Sequence, residues 1–284
     1  MPELPEVEVL VRHLTPLLKN RTVLDVQIRR AEVLRSVTRS KFERALLGAR
    51  FLELTRRGKY LLFTLRRPPA RAKFCLLGHL GMTGRMYLQP ASAPLPKHVA
   101  AVFLLGKSRF VFEDTRCFGR LTLDCGALST LGPEPLTADF SADGLGRALK
   151  KSAQAVKVKL LDQSLVAGLG NIYASEALFR AGISPRVAAR KLTRQQIERL
   201  WRSIRAVLTE AIEFGSTVPL DWAGAGGKDR LFYYGQARGT PDFYAERLQV
   251  YGRAGGPCLV CRTRIRRITQ AARSTFYCPR CQPA

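Results

Sequence analysis

Cys258-Leu259-Val260-Cys261, then sixteen residues, then Cys278-Pro279-Arg280-Cys281: two cysteine pairs, each with two residues between its members, stand near the end of the chain. Pairs at this spacing make knuckles that each offer two thiolates to one tetrahedral cation, and zinc is the metal such a set takes. Two disulfides or four idle thiols are the competing readings. Four thiolate ligands leave no open position for water, so a zinc here is structural. Around the ligands stand Arg262, Arg264, Arg266, Arg267, Arg273 and Arg280. A solvated hairpin is the plain account of these arginines, and phosphate contact is the functional one.

Working outward, 284 residues suffice for two core-bearing domains, and a hydrophobic share of 46% can fill their cores. No apolar run reaches the roughly 18 residues of a membrane span, so no membrane partner is expected. Met1-Pro2-Glu3-Leu4-Pro5-Glu6 carries carboxylates where an export signal carries basic residues, and a cytoplasmic location follows as an expectation. Lys and Arg number 47 against 22 Asp and Glu, a net charge of +25. That surplus calls for a polyanionic partner or serves solubility; nucleic acid is favoured over anionic membrane, because the basic residues are spread over globular segments. Seven cysteines, four of them in the last 27 residues, are not a disulfide framework, and Cys75, Cys117 and Cys125 read as inert scattered thiols.

Residues 5–18 read as a helix with an apolar stripe through Val7, Leu10, Val11, Leu14 and Leu18. Short β-type runs follow at 22–28, 51–54, 59–65, 74–77, 99–105, 109–112 and 121–123, with a turn at Gly106-Lys107-Ser108. Strands at this spacing predict a sandwich or barrel. Leu131-Gly132-Pro133-Glu134-Pro135-Leu136 interrupts both patterns and marks a boundary. A helical region comes next, its clearest helix opened by the capping-box pair Thr193 and Gln196 and closed at Gly215. The Gly-rich, aromatic stretch 215–248 reads as a long functional loop. Gly168 and Gly170 allow a tight turn before a helix whose free amides form an anion site, a weak signal alone.

Taken together, several of these segments are distinctive. Met1-Pro2-Glu3-Leu4-Pro5-Glu6-Val7-Glu8, His79-Leu80-Gly81-Met82-Thr83-Gly84, Leu131 to Leu136, Gly168-Leu169-Gly170-Asn171-Ile172-Tyr173 and Arg273 to Gln282 resemble the formamidopyrimidine-DNA glycosylase family, in order and over nearly the whole chain. The resemblance implies an α+β multidomain fold: an N-terminal β-sandwich with an opening helix (1–132), a helical helix-two-turns-helix domain with a lesion-capping loop (133–248), and a C-terminal zinc-finger hairpin (249–284). DNA would lie in the cleft between the halves. The implied partner is double-stranded DNA containing oxidised bases or abasic sites, the cofactor one structural Zn2+, and the working form a monomer.

The same resemblance assigns roles. Pro2, freed by loss of Met1, is the nucleophile at the sugar C1′, and Glu3 the acid/base carboxylate, with Glu6 in support; Glu8 reads instead as a charge favourable to the helix start. Lys59 grips phosphate and serves as a proton donor in elimination. Arg273 clamps the phosphates flanking the lesion and assists the second elimination. Met82, Arg116 and Phe118 fill the void left by an extruded nucleotide, although residue type alone would place Met82 and Phe118 in a core. His98 and Asn171 match phosphate-binding positions, and Lys157 a lysine near the lesion pocket. Cys117 replaces a common arginine, and Ser152 a DNA-contacting lysine that Lys150 or Lys151 would replace. Two alternatives stand beside this one: a non-enzymatic zinc-ribbon DNA-binding protein, and the endonuclease VIII branch acting on oxidised pyrimidines. The set Met82, Arg116 and Phe118, with Leu4, argues against the latter.

Overall fold

The computed structural model describes residues 2–215, 220–221, 228–229 and 248–283. Most of the stretch read as a lesion-capping loop therefore lies outside the described residues, as does Met1. The chain divides into two compact units, residues 1–129 with 215–240 and residues 130–214 with 241–284.

The first unit opens with α1 (Leu4–Leu18), whose stripe of Val7, Leu10, Val11, Leu14 and Leu18 is buried as its spacing requires. One antiparallel sheet runs in the order β1 (Asp25–Ile28), β6 (Val99–Leu104), β7 (Ser108–Glu113), β5 (Arg85–Pro90). The second runs β2 (Arg50–Arg57), β3 (Tyr60–Arg66), β4 (Lys73–His79), β8 (Arg120–Thr122). Along β3 the alternation is clean, with Leu61, Phe63 and Leu65 inside. Phe51 and Phe63 of the second sheet meet Phe110 of the first at centroid distances of 6.4 and 5.7 Å, so the two sheets enclose one core as a β-sandwich. Glu8 does more than favour a helix end. Burial alone would raise its carboxyl, but Arg56 and Arg12, both at 2.8 Å, hold it below the usual range and tie α1 to β2.

Two elements of this unit depart from the sequence reading. A helix, α2 (Arg39–Leu46), stands where no helix was expected; the Thr38 hydroxyl accepts the Lys41 N–H at 3.4 Å, and Phe42 and Leu46 plug the core. Strand β5 is built on Met86 and Leu88 without β-branched residues, which hid it from a propensity reading. Two-residue strands β9 (Leu220–Asp221) and β10 (Lys228–Asp229) pair antiparallel.

The second unit is helical: α3 (Ala142–Lys150), α4 (Val156–Leu160), α5 (Asn171–Arg180) and α6 (Arg194–Gly215). The helix-two-turns-helix segment is α4, the turns of 161–170, and α5. Thr193 and Gln196 cap α6 reciprocally at 2.8 and 3.2 Å. A two-stranded hairpin, β11 (Arg266–Gln270) with β12 (Arg273–Tyr277), forms the finger, whose small core of Val250, Ile265 and Phe276 is shared with Phe179 of α5. No helix among the described residues is long and apolar enough to cross a membrane.

Candidate functional site

At the start of α1, Glu3 is the N-cap residue and Glu6 the third helical residue. The Glu3 N–H donates to Glu6 Oε2 at 2.7 Å, and the Glu3 carboxylate accepts the Glu6 N–H in return. This reciprocal box satisfies two of the free amides of the helix end, and it places both carboxylates in a buried corner, 1% and 5% exposed. Pro2 is buried beside them. Burial, with the Glu3 charge next to it, pushes the Glu6 carboxyl up to about 8. Glu6 thus keeps a proton at neutral pH.

Lys59 is also buried and sits in the two-residue turn joining β2 to β3, where Gly58 takes φ +56° and Arg57 pairs with Tyr60. Facing that turn is His79, which the sequence reading quoted but gave no role. Burial, reinforced by the Lys59 and Arg120 charges, holds its imidazole down to about 4. The ring rests on Tyr60 at 4.9 Å and its Nδ1 accepts the Gly81 N–H at 3.1 Å, so the neutral ring carries its proton on Nε2.

Met82 and Phe118, read by residue type as core, are instead 39% and 47% exposed. The Arg116 guanidinium lies 4.9 Å over the Phe118 ring, so these two side chains form one stacked group. His98 Nδ1 lies 3.1 Å from the Arg30 guanidinium, which also donates to the Asp114 carbonyl at 3.0 Å and to Cys117 Sγ at 3.1 Å.

In the second unit Gln163 organises the glycine-rich turn: its Oε1 accepts the Gly168 N–H at 2.9 Å and its Nε2 donates to the Leu161 and Leu169 carbonyls at 3.1 and 2.8 Å. Gly168 is at φ +84°, which favours glycine. Asn171 then opens α5. Its Oδ1 accepts from Lys157 Nζ at 2.5 Å and its Nδ2 donates to the Ser274 carbonyl at 2.9 Å, linking α4, α5 and β12. Lys157 is 1% exposed, so this is a buried cation with a committed partner. Lys150 donates to the carbonyls of Arg190 and Leu192 at 3.1 and 2.8 Å, whereas Lys151 is an exposed C-cap residue. Arg273 is exposed at the start of β12, directly after Ala271 and Ala272 at φ 46° and 57°.

The four cysteines converge. Their Sγ atoms lie within 4.8 Å of one another, with Cys258–Cys281 at 3.9 Å and Cys261–Cys278 at 3.4 Å. Zinc–thiolate bonds of about 2.3 Å at tetrahedral angles require sulfur separations of about 3.8 Å, so the set fits one zinc. Two residues that the sequence reading missed dock this centre. Glu176 of α5 accepts the N–H groups of Gln249, Val250 and Tyr251 at 2.8, 3.0 and 2.8 Å. Gln282 accepts the Cys278 N–H at 3.0 Å and donates to the Ile183 carbonyl at 2.9 Å.

Comparison with known proteins agrees along the chain. The formamidopyrimidine-DNA glycosylase N-terminal domain matches residues 1–121, the formamidopyrimidine-DNA glycosylase H2TH domain 131–220, and the zinc finger found in FPG and IleRS 255–284. A formamidopyrimidine-DNA glycosylase of Desulfitobacterium hafniense is 43% identical over 289 residues, covering 99% of this chain and 100% of the relative. That of Thermus thermophilus is 42% identical, covering 99% and 98%. Among solved structures, Lactococcus lactis Fpg with DNA containing an abasic site superposes with a TM-score of 0.86 at 30% identity over 99% of this chain and 100% of that one. MutM with DNA containing carbocyclic 8-oxo-G gives 0.85 at 32% over the whole of both.

Proposed function

The chain belongs to the formamidopyrimidine-DNA glycosylase family, and from that premise we propose that it excises oxidised purines, 8-oxoguanine and formamidopyrimidines, and then cleaves the strand by β,δ-elimination through an iminium on Pro2. Membership makes it a zinc-finger DNA glycosylase of damaged-base repair; the purine preference and the lyase step are our reading. The observation that supports it most is the buried corner of Pro2, Glu3 and a proton-holding Glu6.

Loss of Met1 frees a secondary amine. As an α-amine it is less basic than a lysine side chain, so more of it is neutral near physiological pH. Its lone pair attacks C1′ as the bond to the base breaks, the base leaving with that electron pair and a proton. Glu3 supplies a proton to the ring oxygen or to the departing base and later shuttles protons. The nitrogen then loses its N–H proton and the C1′–O4′ bond breaks, its oxygen taking up a proton, so the sugar ring opens to an iminium with no N–H left to lose, a lasting electron sink. It acidifies the C2′ proton, so the phosphate on the 3′ side departs, and a further proton loss expels the one on the 5′ side.

The remaining residues take the roles the family pattern implies. Lys59 grips phosphate and donates a proton during elimination; Arg273 clamps the flanking phosphates. Met82, Arg116 and Phe118 fill the space left by the extruded nucleotide, and the exposure of Met82 and Phe118 with the Arg116–Phe118 stack supports this. His98, Asn171 and Lys151 contact phosphate, and Lys157 orients Asn171. We read the division of labour as 1–132 for chemistry, 133–248 for the helical clamp and lesion cap, and 249–284 for the finger, in a cytoplasmic monomer acting on double-stranded DNA. The test is single-turnover cleavage of duplexes carrying 8-oxoguanine opposite cytosine or thymine glycol. A rate at least about tenfold higher on the purine lesion is expected; the reverse order would move the chain to the pyrimidine branch.

A further inference from the structure

The Asp114 side chain is fully buried, at 0% exposure, and gathers donors from two loops. The Thr83 hydroxyl donates to its Oδ1 at 2.5 Å, the Arg116 N–H to the same oxygen at 3.1 Å, and the Gly119 N–H to Oδ2 at 2.7 Å. Thr83 Oγ1 also accepts the Arg116 N–H at 3.2 Å. Asp114 is itself anchored to the sandwich: its N–H donates to the His98 carbonyl at 3.0 Å, and its carbonyl accepts from Arg30 at 3.0 Å. The loops touch at their roots as well. A Cβ on Gly81, which sits at φ +64°, would lie 2.4 Å from the Phe118 carbonyl carbon and 2.5 Å from the Gly119 nitrogen. One loop bears Met82 and the other Arg116 and Phe118, so their exposed tips stand on one buried acceptor.

We propose that Asp114, acting with Thr83, is a positioning residue for base extrusion: it locks the two loops into a single wedge, so that Met82, Arg116 and Phe118 enter the duplex together. The inference rests on the void-filling reading of those three side chains. Stacked bases resist being parted, and two separately hinged loops would recoil one at a time. Joined at Asp114, they pass the load through His98 and Arg30 to the sheet behind. The residue type suits the task. Three donors converge on its two oxygens, and an amide in its place would turn its own N–H toward at least one of them.

The test uses the full-length, zinc-loaded protein and the variants Thr83→Val, Asp114→Asn and Phe118→Ala, with thermal melting to establish folding. Two substrates separate extrusion from chemistry: a duplex with one 8-oxoguanine opposite cytosine, and a single strand carrying a preformed abasic site, where no base has to leave a stack. Thr83→Val is expected to slow duplex excision about tenfold and Asp114→Asn to slow it more, with single-strand cleavage changed less than about twofold. The double variant is no slower than Asp114→Asn alone, since both break one lock. A 2-aminopurine beside the lesion brightens on mixing with the parent protein and stays dim with either variant. Equal losses on both substrates, or full duplex activity in Thr83→Val, would overturn the proposal; if Asp114→Asn does not fold, Thr83→Val decides. Phe118→Ala separates the two layers of the argument. Unimpaired duplex excision in that variant ends the void-filling reading and the lock with it. Slowed excision there, with Thr83→Val and Asp114→Asn unaffected, ends the lock alone.

Discussion

Two hairpins in this molecule each present a cation assigned to phosphate, and they are held in opposite ways. The β2–β3 hairpin with Lys59 belongs to a four-stranded sheet backed by a core that runs from Val7 to Leu121. The β11–β12 hairpin with Arg273 has two strands and a core of Phe179, Val250, Ile265 and Phe276 with two of the cysteines. A two-stranded ribbon with so little apolar burial is not stable alone. The sandwich hairpin is fixed by hydrophobic packing; the finger hairpin is fixed by a metal and by polar groups, Glu176 and Asn171 of α5 and the buried Gln282.

The largest effect that follows is on metal removal. Stripping zinc withdraws binding energy on the order of 10 kcal/mol, so the segment 249–283 should become protease-sensitive and DNA binding should collapse, while the sandwich still melts cooperatively. Limited proteolysis with and without a chelator reads this directly; a protected finger in the metal-free protein would erase the contrast. Next in size is Glu176→Ala. Three backbone amides lose their shared acceptor, and a stability loss of roughly 3 kcal/mol, confined to the finger and α5, should appear in hydrogen exchange at 249–251.

The sandwich offers a pH test. The Glu6 carboxyl is raised from 4.5 to about 8 in the folded protein. Between those values the folded state holds a proton that the unfolded chain has released, so stability falls as pH rises through this window and the full cost remains above it. Glu6→Gln keeps an acceptor for the Glu3 N–H and removes the charge. It should melt about 4 °C or more above the parent at pH 9 and near it at pH 4; an offset independent of pH would mean that Glu6 ionises normally. The smallest effect concerns the turn before Arg273. Ala271 and Ala272 both occupy left-handed backbone, which the two-residue turn between Gln270 and Arg273 demands and which suits Asn-Gly better. Replacing the pair by Asn-Gly should raise finger stability by about 0.5–1 kcal/mol.

What could be read in advance follows the range of the interactions. The zinc ligands announce themselves through spacing, and α1 and α6 through periodicity, because those signals are local. Helix α2 escaped because eight residues with only Phe42 and Leu46 turned inward carry too little pattern. Glu176 and Asp114 escaped for a different reason. Glu176 meets its donors 73 to 75 positions away, and Thr83 reaches Asp114 across 31, so nothing beside either residue marks it as a hub. Lys150 and Lys151 look alike in sequence, and only the structure shows that Lys150 donates to the carbonyls of Arg190 and Leu192. Pro2, Glu3, Lys59 and Arg273 came from family resemblance, since residue type alone gives a proline, a cap, a turn lysine and a hairpin arginine.

The most direct test of the whole account is to incubate the zinc-loaded protein with duplex DNA containing 8-oxoguanine opposite cytosine, reduce with borohydride, digest, and locate the adduct by mass spectrometry. The account predicts a nucleotide remnant on the α-nitrogen of an N-terminal peptide that begins at Pro2, and its loss in Pro2→Gly treated under conditions that trap the parent. An adduct on a lysine such as Lys59, or none in a sample that has lost Met1 and holds zinc, would contradict it.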